Sequence, residues 1–138
     1  MDLCFLSALE IIEKTKKGEI SSVEVAKSFI DRIEKFENKI KAWAFFDKKF
    51  FMEKAQEKDD WRLSGKPLGP LHGLPVAIKD IFKTEDMPTQ YGTAIRENYQ
   101  SRDDAKVVSI LRSAGAIIMG KTVTTELAYF DPGKTTNP

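Results

Sequence analysis

The sequence predicts an α/β chain in which a helical leader precedes a β-α-β unit. Three observations carry this. All six prolines and seven of the eight glycines lie from Gly65 onward, so the chain changes character there. Before that point two serine–glutamate pairs at capping-box spacing precede apolar residues at helical intervals. After it, two short apolar runs flank one amphipathic segment, the pattern of parallel strands joined by a helix.

Taken in order, Ser7 with Glu10 opens a short helix that runs from about Ser7 to Lys17 and stops at Gly18. Ser21 with Glu24 opens a longer one, in which Ala26, Phe29, Ile30, Ile33 and Phe36 form an apolar stripe opposite a solvated charged face. Ala42 to Phe46 is a short apolar strand. Asp47 caps a third helix through Phe51 and Ala55 toward Trp61, and its aromatics are expected in the core.

Residues 65–73 contain Pro67, Gly69, Pro70 and Gly73 and must form a loop. Val76, Ala77 and Ile78 follow as a continuous apolar run, expected to be a strand buried on both faces. A polar loop through Pro88 and Gly92 leads to Asp103 and Asp104, either of which can cap a helix bearing Val107, Val108, Ile110 and Leu111. Gly115 ends it, and Ala116 to Met119 forms the second buried strand, in parallel pairing with the first.

Charge excludes two classes of partner. There are 22 basic and 21 acidic residues, 14 against 13 up to Lys66 and eight against eight beyond it. Neither half has the one-signed field that attracts nucleic acid or an anionic membrane. Cys4 alone cannot form an internal disulfide, and with His72 as the single histidine no transition-metal cage is expected. Neither a signal peptide nor a membrane span is expected, so the default location is the cytoplasm.

One string and three single residues invite a chemical reading. Gly115 to Thr122 fits the phosphate-binding string G-x-x-x-x-G-K-T, but its middle residues are strand-like and a helix precedes it, the reverse of what that loop needs. A strand flanked by two turn glycines is the expectation there. His72 is a loop histidine bonded to nearby backbone or a catalytic base. Cys4 beside Phe5 is a packing residue. Lys79 ends the Val76–Ile78 run, where ligands gather at carboxyl ends of parallel strands and an ammonium is costly to desolvate. By pattern it either snorkels or pairs with Asp80, or it is buried with a lowered pKa and serves a hydroxyl nucleophile as base.

The surrounding residues decide between these. Gly69-Pro-Leu-His-Gly-Leu-Pro-Val-Ala-Ile-Lys-Asp80 resembles the lysine segment of the amidase-signature family. Asp104-Ala-Lys-Val-Val108, Ala114 to Thr122 and Glu126-Leu-Ala128 resemble its next helix, strand and turn, and Ser21-Ser-Val-Glu-Val25 is similar to the start of its second helix. The resemblance implies the amidase-signature fold, a larger mixed sheet with flanking helices. Residues 1–138 would be the amino-terminal part of one such domain, with 1–64 the helical leader and 65–138 the start of the central sheet.

It also implies hydrolysis of a small-molecule amide by a triad of a serine nucleophile, a second serine preceded by a cis peptide and a lysine, with no cofactor. Lys79 alone matches a triad position. The family places both serines in a Gly/Ser-rich segment soon after a stretch like Pro132 to Pro138, so they are expected in a missing carboxy-terminal remainder, and the 138 residues alone are expected to be inactive. Ser7, Ser21 and Ser22 are caps, while Ser109 and Ser113 lie on the amphipathic helix. A possible homo-oligomer is left open. The alternatives are the glutamine-hydrolysing subunit of a tRNA-dependent amidotransferase, and a non-catalytic fragment or interaction module. Thr122 to Asp131 is more similar to free amidases than to that subunit.

Overall fold

The computed structural model describes residues 2–129 and 131–137; Pro138, the last residue of the expected open loop, lies outside them. The elements follow in the order α1 (Ala8–Lys17), α2 (Ser22–Ile40), β1 (Trp43–Phe45), α3 (Lys48–Leu63), β2 (Pro75–Lys79), α4 (Lys106–Ser113) and β3 (Ile117–Thr122).

Both capping boxes are present. Ser7 and Ser21 each accept from the N–H of the glutamate three residues on, and each glutamate returns to the serine N–H. Asp47 accepts from the N–H groups of Lys49 and Phe50 at 2.8 and 3.1 Å and starts α3. A further cap comes from a distance. Asp59 of α3 is buried and takes the N–H groups of Ser22 and Val23 at 2.8 and 3.0 Å, locking the first turn of α2 to α3.

The start of α4 differs from expectation. Its N-cap is Ala105 with no side-chain bond. Asp104 is engaged elsewhere, accepting the Glu85 N–H at 3.0 Å and Arg112 Nε at 2.8 Å, while the Arg112 guanidinium also reaches Asp86. An ion-pair network has taken the carboxylate that would have capped the helix.

The three strands form a mixed sheet in the order β1-β3-β2, with β2 parallel and β1 antiparallel to the central β3. Helices α2 and α3 cover one face, where Ala26, Ile30, Phe51, Ala55, Ile117 and Met119 form one core cluster. On the other, Ile78, Met87, Val108 and Ile118 pack with α4 and the loop that follows β2. Burying a side chain such as the fully enclosed Phe51 contributes roughly 1.5–3 kcal/mol. Of the aromatics expected inside with it, Trp61 is exposed and donates its indole N–H to the Pro67 carbonyl.

Two expectations about the strands are corrected. The second strand extends to Thr122, so Gly120 lies within it rather than in a turn. Ala77 is exposed and only Ile78 of the first run is buried, because β2 is an edge strand of this sheet. The short strand expected at Ala42–Phe46 is present as β1, and it joins the β-α-β pair in the same sheet. Gly120 has a steric reason to be there, since a Cβ would sit 2.8 Å from the Phe45 carbonyl oxygen and 2.8 Å from the Trp43 ring. Gly115, at φ 96°, makes the left-handed turn that feeds the strand.

The pairing of β2 with β3 is irregular between Val76 and Ala77: Val76 lies opposite Ile118 but Ala77 opposite Gly120. One extra residue, Met119, is thus accommodated in β3, and every later side chain changes face.

Candidate active site

The loop from Pro67 to Leu74 lies against the end of α4. Leu71 and Gly73 donate to the carbonyls of Ala114 and Gly115, and Leu74 accepts from the Ile117 N–H at 2.8 Å, which delivers the chain into β2 in register with β3. His72 is buried at the centre of this join, 3.1 Å from Nε2 to the Lys58 carbonyl, so that nitrogen carries the proton. Burial pushes its pKa below the ordinary 6.5, only partly offset by the bond to Lys58. Of the two readings of His72, the backbone-bonded one matches this geometry.

Lys79 is the last residue of β2, paired with Thr122 of β3. Of the readings of Lys79, the solvent-reaching one matches these residues: its side chain is exposed, on the same face as Ala77. It does not pair with Asp80, and among the described residues its ammonium has no ion-pair partner.

The buried lysine is Lys121, with no accessible surface. Its Nζ lies 3.0 Å from Asp80 Oδ1, 2.7 Å from Thr89 Oγ1 and 3.0 Å from the Pro88 carbonyl. Burial pulls its pKa below the ordinary value, and the Asp80 carboxylate opposes that pull. Lys121 and Ile78 are strand partners and share the face of Ile118, as the one-residue irregularity requires. With Lys121 consumed in this way and β3 hydrogen-bonded between two neighbours, the Gly115–Thr122 string offers no phosphate cradle.

This pair is the part of the site that sequence reasoning missed. A signal existed: Lys121 continues the apolar run Ala116–Met119, and Asp80 ends the neighbouring run, so a buried cation and a carboxylate were both available at the strand ends. Beyond the strand ends opens a cleft of about 490 Å³. Asp80, Gln90, Thr93 and Thr124 contribute polar groups to its wall, and Thr124 Oγ1 is buried with no hydrogen-bond partner among the described residues. Among the described residues no helix is long and apolar enough to cross a membrane.

The profile of the Amidase family matches residues 24–137. Among curated relatives, a glutamyl-tRNA(Gln) amidotransferase subunit of Carboxydothermus hydrogenoformans is 46% identical over 128 residues, a match covering 93% of this chain and 26% of that protein. Among solved structures, the native peptide amidase of Stenotrophomonas maltophilia superimposes with a TM-score of 0.84 at 28% identity, over 95% of this chain and 27% of that one. A fatty acid amide hydrolase gives 0.81 at 29% identity, over 88% and 22%. The chain therefore spans about a quarter of the length of the relatives it matches.

Proposed function

The chain belongs to the amidase family, and on that premise we propose that it supplies Lys79 as the distal base of an amide-hydrolysing site completed by two serines beyond residue 138. The observation that carries this reading is the division of labour at the strand ends. Asp80, next to Lys79 in the chain, is held by Lys121, so Lys79 stands at the carboxyl end of a parallel strand with no ion-pair partner among the described residues.

A lysine acts as base in its neutral form, accepting a proton on its amine nitrogen. The nucleophilic serine oxygen adds to the amide carbonyl, its proton passes to the second serine, and that serine's proton passes to Lys79. Collapse of the adduct breaks the C–N bond, the departing amine takes a proton, and water then releases the acid from the acyl-serine.

The test is Lys79→Ala in the complete protein. The expected result is that amide turnover is lost while circular dichroism and thermal unfolding of the variant match the parent, since the substitution removes no ion pair among the described residues. A near-normal rate would remove the assignment.

A second reading is the glutamine-hydrolysing subunit of a tRNA-dependent amidotransferase, favoured by the 46% identity to a glutamyl-tRNA(Gln) amidotransferase subunit. Ammonia release from glutamine, measured with and without the partner proteins, separates the two. Dependence on the partners supports the amidotransferase, and turnover of simple amides by the protein alone supports the free amidase.

A further inference from the structure

The ion pair at the strand ends joins two residues to which the reaction above gives no task. Lys121 directs its ammonium at three acceptors, Asp80 Oδ1, Thr89 Oγ1 and the Pro88 carbonyl, which together use every proton it has. Asp80 is equally committed. Its two carboxylate oxygens take the Gln90 N–H at 3.2 and 3.1 Å, its own N–H donates to the Thr122 carbonyl at 2.9 Å, and its carbonyl accepts from Tyr91 at 3.1 Å. One buried pair therefore fastens the end of β2, the end of β3 and the segment 88–91.

Burying two charges together contributes little net stability, because desolvation cancels most of their attraction. What the arrangement supplies is a fixed position. Lys79 precedes Asp80, its side chain has no ion-pair partner of its own among the described residues, and its backbone is the last rung of the β2–β3 ladder. Its amine stands at the end of a long flexible stem, so the placing of that amine depends on how firmly the backbone just beyond it is held.

We propose that the Asp80–Lys121 pair positions Lys79: a second lysine that never touches substrate fixes the strand end from which the first one reaches it. This rests on the assignment of Lys79 as the base. Lys121 is then a positioning residue, and its loss acts on the proton-transfer step rather than on substrate binding.

The experiment measures ammonia release from L-glutamine and from benzamide by the complete protein carrying Lys79→Ala, Lys121→Met, Asp80→Asn or the Asp80→Asn/Lys121→Met pair. Lys121→Met is expected to lower kcat about 100-fold with KM changed by less than about twofold, the size of effect that a misplacement of roughly 1 Å produces. Asp80→Asn keeps an acceptor for Lys121 and for the Gln90 N–H and loses less, about tenfold. Where Lys121→Met does not fold, the double variant carries the test with the same expected loss, since neither charge is left stranded. A folded Lys121→Met or double variant whose kcat stays within about threefold of the parent, in a protein that Lys79→Ala inactivates, overturns the positioning role and leaves Lys79 standing. Retained activity in Lys79→Ala overturns the base assignment itself, and the positioning role with it.

Discussion

Asp59→Ala should be among the most damaging single changes in the helical part of the chain, although Asp59 lies far from the strand ends. Its carboxylate accepts from Ser22 N at 2.8 Å and Val23 N at 3.0 Å, and both donors belong to the first turn of α2. Ser22 is fully buried, so its N–H finds no water once the carboxylate is gone, and an orphaned buried donor costs about 1–3 kcal/mol. Val23 is partly exposed and can hydrate. The helix end also loses a negative charge held against its positive pole, worth about 0.5–2 kcal/mol in a partly buried setting. Together these give about 3 kcal/mol for Asp59→Ala, allowing for partial rehydration. Asp59→Asn keeps one acceptor oxygen and should cost about half of that. Urea denaturation of the two variants beside the parent measures both values. A loss below about 1 kcal/mol for Asp59→Ala, or equal losses for the two, would refute the idea that a charged cap supplied from α3 holds α2 in place.

Gly120→Ala places a methyl group 2.8 Å from the Trp43 ring and from the Phe45 carbonyl, and should cost about 2 kcal/mol while red-shifting Trp43 fluorescence in a Trp61→Phe background. An unshifted spectrum at parental stability would refute that contact. His72 gives the clearest pH dependence. Burial holds its pKa below 6.5, so below about pH 6.5 the unfolded chain binds the extra proton first. The stability tied to neutral His72 is complete above that pH and is lost as the pH falls toward the lowered folded value. His72→Gln should flatten the slope of unfolding free energy against pH in that range, and an unchanged slope would refute the assignment.

The parts of the fold that were legible in the sequence are those decided locally. The two capping boxes, the Asp47 cap and the stop at Gly18 depend on residues within one helical turn, and each formed where its spacing placed it. Misreadings arose where distant groups compete for one side chain. Asp104 has the chemistry of a cap, but Arg112 and the Glu85 N–H hold it, so α4 begins without one. Asp59 is the reverse case, an acidic residue late in α3 that caps a helix 37 residues earlier. Exposure of Ala77 was equally illegible, because an apolar run states that a strand can be buried and not whether this stretch of chain holds the neighbour that would cover it.

The site turns on a single residue of register. With strict alternation Lys121 would share the face of Ile117 and Met119 and enter the apolar cluster beneath α2 and α3. The irregularity at Met119 turns it instead toward Ile78, Ile118 and the loop that carries Thr89, within reach of Asp80. The same step sets Gly120 against the Trp43 ring, where no side chain fits. A glycine followed by a lysine, the feature that imitates a phosphate-binding loop, is thus what a bulged central strand needs to pass an aromatic ring on one face and bury a cation on the other. Asp80 is thereby committed to Lys121 and not to its chain neighbour Lys79, which has no ion-pair partner among the described residues.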